Sequence, residues 1–228
     1  MDDKLKPVER SKNLKEQAYE KIKEAILEGG QTVAGRSESQ LAKVLHISRT
    51  PVREALLLLA KEGLVKLLPQ RGVLVLQLTQ DGLEEVFELR AALETLTVEK
   101  LAKTLSLSDL KRLKELVSRQ RQAANLKNRV EFLDVDEEFH LLIPELAGLY
   151  KTQEIIKNLR DQIRLAGYRA LARPGRMREV VREHEKIIAA LSRHDLAGAK
   201  KALLDHLACT EKALFEDQRE DQRDEKTG

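Results

Sequence analysis

Hydrophobic positions in the first third of the chain predict three helices and then a hairpin. Apolar residues recur at helical spacing over 14–27, and a Ser-Glu-Ser-Gln capping pattern begins a short helix over 38–45. A tight turn leads from that short helix into the third helix, over 49–62. Two apolar runs, over 64–68 and 73–77, flank a Pro-Gln-Arg-Gly turn. This order of elements predicts a winged helix-turn-helix.

Beyond Thr79 the apolar spacing is helical throughout and predicts no strand. It indicates six helices, over about 80–104, 109–126, 129–146, 152–172, 177–193 and 196–216. We therefore predict a mainly α protein with a winged-helix domain over 10–78 and an all-helical domain over 79–216. Residues 217–228 lack apolar periodicity, so we predict a disordered tail there.

Composition agrees with a helical protein and narrows its class. Of 228 residues, 42% are hydrophobic, 35% charged and only 3% aromatic, which disfavours a β-sandwich or a disordered chain. No apolar stretch reaches the length of a membrane span, and the first residues lack the apolar segment of a signal peptide, so we expect a cytoplasmic protein. The single Cys209 excludes an intrachain disulfide and a zinc site built from several thiolates.

Charge and exposed side chains make the N-terminal unit a candidate for DNA binding. Residues 1–78 carry 14 Lys and Arg against 10 Asp and Glu, whereas the rest carries 27 against 28. The predicted recognition helix begins with Arg49, Thr50 and Arg53, and Arg71 lies at the tip of the hairpin. Basic residues at a helix start oppose the helix dipole, so an external anion explains them better than a solvated helix face does.

Three segments of this unit resemble the GntR-type, gluconate-repressor-like, winged-helix transcription regulators: Ser48–Leu56, Leu59–Val65 and Gln70–Gly72. The resemblance implies that the three residues named at the start of the recognition helix contact DNA, with Gly72 in the wing. Ser39 stands where many members of the family carry an arginine that also meets DNA.

Four polar residues interrupt apolar stripes of the helical domain. Asp136 and His140 are four residues apart and share one helix face, while His184 and His206 each lie among apolar neighbours on a later helix. One such histidine is usually a core residue with satisfied hydrogen bonds. Three of them with an aspartate favour a divalent cation, and the donor set suits Zn²⁺, Ni²⁺ or Mn²⁺ without choosing among them.

Arg90 also lies in an apolar stripe, one helical turn before Glu94. A buried ion pair and a binding site for an anionic ligand are equally compatible with this position. The second domain resembles the FCD, or FadR C-terminal, ligand-binding domain through Glu88-Leu89-Arg90, Glu94, Asp136-x-x-Phe139-His140, His184 and His206. That resemblance implies an antiparallel helical bundle, a metal held by the aspartate and three histidines, and a pocket for small carboxylates.

The leading hypothesis is a homodimeric, effector-responsive transcription regulator, most often a repressor in this family, that reads a pseudo-palindromic operator in double-stranded DNA. A metal-dependent hydrolase is the main alternative, but His184-Glu185 is followed by Ile188 where an H-E-x-x-H motif needs its second histidine. We therefore predict no enzyme activity. A third alternative is a constitutive DNA binder whose buried histidines only form hydrogen bonds.

Overall fold

The structure divides the chain into two compact units. The computed structural model describes residues 14–27, 32–76 and 78–227, without the side chains of 165, 169 and 217–227. The units are Met1–Leu76 and Gln77–Gly228, close to the predicted boundary at residue 78. Residues 10–13 of the predicted first domain, and Gly228, lie outside the described residues.

The first unit is a winged helix-turn-helix. Its elements are α1 (Leu14–Leu27), α2 (Glu38–Val44), α3 (Arg49–Lys61), β1 (Val65–Leu68) and β2 (Gly72–Val75). The two strands pair antiparallel, with Val65 opposite Val75. Helices and strands share one apolar core, in which Val52, Leu56 and Leu59 are fully buried. The predicted winged-helix fold is confirmed.

The second unit consists of six helices, which confirms the predicted helical domain. They are α4 (Gln80–Thr104), α5 (Leu107–Asn125), α6 (Arg129–Leu146), α7 (Tyr150–Ala170), α8 (Arg176–Ser192) and α9 (Leu196–Thr227). Helix α9 packs against α4, α7 and α8, and α6 packs against α4, α5 and α7. Among the described helices, none combines the length and apolar character that a membrane crossing requires.

Side-chain caps fix where several of these helices begin. The Thr79 hydroxyl accepts a hydrogen bond from the Gly82 amide at 3.2 Å and starts α4. Helix α5 begins at Leu107, earlier than the predicted residue 109, because Ser106 and Asp109 form a capping box. The two reciprocal bonds of this box are each 3.1 Å long.

The end of α9 corrects the prediction for the C-terminal tail. The helix continues through Thr227, across the segment 217–227 for which we predicted disorder. Six of the eleven residues in that segment are Glu, Gln or Arg, which have high helix propensity, and three are Asp, which has low propensity. Because it extends a helix that is already packed, each added residue needs only propagation and avoids the cost of nucleation.

Candidate metal centre and nucleic-acid interface

Three helices bring the predicted histidines together in the interior of the helical unit. His140 on α6, His184 on α8 and His206 on α9 each offer a ring nitrogen, and these nitrogens all lie within 4.8 Å of one another. We call these three residues the histidine cluster. All three side chains are buried, and the Phe139 ring stacks on His184 with centroids 4.1 Å apart.

Each histidine has an oxygen acceptor at its outer nitrogen. Nδ1 of His140 donates to Glu94 at 2.7 Å, and Nδ1 of His206 donates to Glu183 at 2.7 Å. Nδ1 of His184 lies 2.8 Å from the side-chain oxygen of Gln120. Because carboxylate and amide oxygens only accept, Nδ1 carries a proton in each ring, and in a neutral ring Nε2 then carries a lone pair.

The inner nitrogens therefore face one another as acceptors. Nε2 of His140 and Nε2 of His206 are 3.1 Å apart. Nε2 of His184 is buried and has no hydrogen-bond partner among the described residues. Unsatisfied buried acceptors are costly, and a cation placed between them would satisfy all three.

Asp136 joins the cluster from the same helix face as His140. Its Oδ1 lies 3.6 Å from Nε2 of His184 and accepts a hydrogen bond of 2.8 Å from the Gln120 amide. Its other oxygen pairs with Arg160. Burial alone would raise the pKa of Asp136, but Arg160 and the imidazoles hold it well below its usual value. The fourth predicted ligand is thus an ionised carboxylate beside the three histidines.

Burial keeps the rings of His140 and His184 neutral. It lowers the pKa of His140 to about 4, although the Glu94 carboxylate acts in the opposite direction. It lowers the pKa of His184 well below its usual value, and the neighbouring His206 adds to this effect. Neutral imidazole is the form that ligates metals, so these two rings stay competent to bind a cation across the physiological pH range.

The carboxylates that hold the histidines are themselves paired with arginines. Glu94 accepts a hydrogen bond of 2.8 Å from Arg90, and burial would raise its pKa, but Arg90 and His140 hold it well below its usual value. Glu183 accepts two bonds from Arg176, at 2.6 and 3.2 Å. Despite its burial, the bonds from His206 and Arg176 lower the pKa of Glu183 to about 2.

A small cavity adjoins the cluster and contains three arginines. Its volume is about 50 Å³, and Arg90, Arg160, Arg164, Asp136 and His206 contribute to its lining. One buried guanidinium nitrogen of each arginine lacks a hydrogen-bond partner among the described residues. Arg90 thus forms the ion pair that was one of its two predicted roles. Its free Nη2 leaves the second role, anion binding, as a prediction.

Sequence reasoning missed five residues of this network: Gln120, Arg160, Arg164, Arg176 and Glu183. Gln120 could have been found in the same way as the histidines, since it interrupts a buried stripe of α5 formed by Leu113, Leu116, Val117, Ala123 and Ala124. The other four are charged residues, and charged residues at helical spacing are too common in helices for the sequence alone to single these out.

The start of α3 presents the predicted DNA-contacting residues to solvent. Arg49 and Thr50 are exposed, and the Arg53 side chain is 69% exposed, with its Nε 3.9 Å from Glu38. Ser39 is half-buried in the first turn of α2. The Ser48 side chain precedes α3 without capping it, so its hydroxyl is free for another acceptor or donor. Sequence analysis had not assigned Ser48 to the interface.

The wing contains one exposed cation and one glycine with a backbone role. Arg71 is exposed in the turn between the strands. Gly72 has φ +86°, and a Cβ at this position would lie 2.6 Å from the Arg36 carbonyl oxygen. That close approach allows the Val73 amide to bond Arg36 at 3.0 Å. Gly72 therefore shapes the wing, and its contact with DNA stays a prediction.

Comparison with known proteins identifies both units. Residues 14–75 match the family of bacterial regulatory proteins known as the gntR family, and residues 85–208 match the FCD domain. The HTH-type transcriptional repressor RspR of Escherichia coli K12 is 28% identical over 171 residues, which cover 75% of each chain. A regulator from an unstable DNA locus of Streptomyces ambofaciens is 32% identical over 188 residues, 81% of this chain and 75% of that one.

A solved structure extends the similarity to the fold. Escherichia coli McbR/YncC superimposes with a TM-score of 0.78 at 25% identity, covering 89% of this chain and 97% of the other. The matched proteins are regulators rather than enzymes, which excludes the hydrolase alternative. The chain belongs to the gntR family of bacterial regulatory proteins and is a DNA-binding transcription regulator with an FCD domain.

Proposed function

We propose that this regulator is a homodimeric repressor that holds a divalent metal ion and responds to a small organic acid. Asp136, His140, His184 and His206 are the proposed ligands. The observation that carries this proposal is the convergence of three imidazoles, whose ring nitrogens lie within 4.8 Å of one another. Two Nε2 atoms are 3.1 Å apart, and the third, on His184, has no hydrogen-bond partner among the described residues. Two ligand atoms bound to one ion lie about 3–4 Å apart, as these do.

The donor set fits a borderline divalent ion. Three neutral imidazoles and one carboxylate suit Zn²⁺, Ni²⁺ or Mn²⁺. The bonds from Nδ1 to Glu94, Gln120 and Glu183 orient the three rings and raise the basicity of their inner nitrogens, as is usual for histidines that ligate metals. When bound, the ion supplies a Lewis-acid position for an anionic ligand.

The three arginines of the small cavity would receive the effector. Arg90, Arg160 and Arg164 line this cavity, and each has one guanidinium nitrogen without a hydrogen-bond partner among the described residues. Arg side chains bind carboxylates through paired N–H donors. The cavity of about 50 Å³ is far smaller than the volume of about 300–1,000 Å³ that is usual for small-molecule sites. An acid larger than a carboxylate group must therefore shift the surrounding helices, which gives the ligand a means to alter DNA binding.

The proposal of repression rests on a relative, and the proposal of dimerisation rests on the geometry of DNA. RspR, which is similar over 75% of this chain, is a repressor. Winged helices of this class read two half-sites about 34–36 Å apart, so two copies would dock together on a pseudo-palindromic operator. A ligand-dependent change in the separation of the two recognition helices would weaken that docking.

Metal analysis of the full chain tests the ligand set. Protein purified without chelator should carry close to one divalent ion per chain by plasma mass spectrometry. His184→Ala and His206→Ala should lose it, because each removes one of the inward nitrogens. His194→Asn is the matched control, since its ring bonds the Ala102 carbonyl at 2.8 Å, outside the cluster. Full metal content in both cluster variants would contradict the proposal.

A screen of small mono- and dicarboxylates tests the effector. One of them should change operator affinity, and Arg164→Ala should blunt the response while leaving effector-free DNA binding unchanged. Arg90→Ala should blunt it too, but this substitution also releases Glu94, which holds His140. The control is Arg112→Ala, whose guanidinium pairs with Glu145 on the surface. An undiminished response in the Arg164 variant would remove that residue from the effector site.

A further inference from the structure

We propose that the helical unit has a second ligand site, for an organic phosphate, at a cavity of about 510 Å³. The end of α5, the start of α6 and the loop between α7 and α8 line this cavity. We call it the basic cavity. Its lining shares no residue with the histidine cluster or with the smaller cavity beside it.

The charge of the basic cavity is of one sign. Its lining includes Lys127, Arg129, Arg173 and Arg178, and no acidic side chain among the described residues. Arg173 is paired with Glu179 at 2.6 Å. Within the described part of the chain, no carboxylate lies within ion-pair distance of the other three cations. Three uncompensated cations around one cavity favour a ligand with more than one negative charge.

Helix stability does not explain two of these cations. Arg129 is the first residue of α6, and Arg178 lies in the first turn of α8. Cations at these positions oppose the helix dipole and destabilise the helix, where acidic residues would be favourable. An anion bound between the two arginines would attract both of them and would also interact favourably with the helix dipoles.

The cavity is also partly preorganised. The Arg129 guanidinium lies 4.3 Å from the centroid of the Tyr168 ring and donates to the Tyr168 carbonyl at 3.4 Å. Helix α8 begins after Gly175, which also lines the cavity, and no side chain caps its first N–H groups. The Arg176 amide already donates to the Arg173 carbonyl at 3.2 Å, so the next amides of this first turn are the donors for phosphate oxygens.

An apolar surface completes the basic cavity. Ala124 and Leu171 are buried, Met177 is half-buried, and all three line it. The volume falls within the range of about 300–1,000 Å³ that is usual for small-molecule sites. Charged donors together with an apolar surface indicate a ligand that has a phosphate group and an organic body, of the size of a nucleoside diphosphate.

Calorimetric titration of the full chain tests this site with two probes, inorganic pyrophosphate and ADP. Both should bind saturably, and ADP should bind more tightly because its nucleoside contacts the apolar surface. A variant carrying Lys127→Ala and Arg178→Ala should lose at least tenfold in affinity for each probe. The matched control is Arg182→Ala, an exposed cation one turn further along α8 that does not line the cavity, and its affinity should stay within twofold.

Two results would overturn the proposal. One is the absence of saturable binding for both probes. The other is unchanged affinity for the probes in the double variant, together with a thermal unfolding temperature equal to that of the Arg182→Ala control. If ADP binds no more tightly than pyrophosphate, the proposal that the ligand has an organic body in contact with the apolar surface is overturned. Because the two sites are separate, His184→Ala should still bind ADP even when it has lost its metal, so failure of one proposal leaves the other testable.

Discussion

The winged-helix unit and the helical unit place their polar groups in opposite ways. Of the eleven buried polar or charged residues in the described part of the chain, ten lie in the helical unit and only Lys23 lies in the winged helix. The winged helix keeps Arg49, Thr50 and Arg53 in solvent above an apolar core. A DNA-reading surface can thus vary without disturbing its fold, whereas the buried network of the helical unit couples binding directly to stability.

The largest effect should come from breaking the buried network at Glu94. Glu94→Ala leaves Arg90 buried without its carboxylate and removes the acceptor of His140. Removing one partner of a buried ion pair costs about 3–5 kcal/mol, so urea unfolding followed by circular dichroism should show a loss of that size.

A surface pair supplies the control for this measurement. Glu138 pairs with Arg119 at 2.6 Å, and both side chains are about half exposed. Glu138→Ala should cost less than about 1 kcal/mol because solvent screens the pair. Equal losses in the two variants would show that burial of the Glu94 network has no special role in stability.

The next largest effect is expected in the wing, where stability depends on one close approach of the backbone. Gly72→Ala places a Cβ 2.6 Å from the Arg36 carbonyl oxygen. Gly63 has a similar positive φ of +77°, but no atom lies within 4 Å of the position that a Cβ would take there. Gly72→Ala should therefore destabilise the winged helix by about 1–3 kcal/mol more than Gly63→Ala, measured by thermal unfolding. Equal losses of stability in the two variants would show that the positive φ of each glycine, and not the close approach to Arg36, determines the effect.

Substitutions at the start of α3, the recognition helix, should have the smallest effect on the fold. Arg49→Ala and Arg53→Ala should each weaken operator binding by about 1–3 kcal/mol, measured at one salt concentration, and leave the unfolding temperature unchanged. Lys61→Ala, in the last turn of the same helix, is the matched control. Operator affinity that matches the control in both arginine variants would show that DNA is read elsewhere.

Sequence periodicity was sufficient for the fold because each helix of the second unit buries a regular apolar face. The predicted and observed ranges of α6 are both 129–146, since Asn128 caps its start. The end of α9 was not predictable in the same way. Its last residues have no apolar face, and helicity there follows from attachment to a packed helix, which a local pattern does not reveal.

The sequence was sufficient to identify the residues of the histidine cluster but not their hydrogen-bond partners. His140, His184 and His206 stand out because each interrupts an apolar stripe. The partners at Nδ1 come from other helices, so which oxygen faces which ring depends on packing. Glu183 is the clearest case, because it lies beside His184 in sequence but bonds His206.

Counting charges around the histidine cluster has a consequence for ligand binding. Three carboxylates, Glu94, Asp136 and Glu183, are each matched by an arginine, so these three pairs are neutral before any ion enters. A divalent ion would bring two positive charges that no side chain of these pairs balances. In a buried site such an excess is costly, and a dianion at the arginine-lined cavity would offset it. Metal and effector should thus bind with positive cooperativity, each raising the affinity of the other by the same factor.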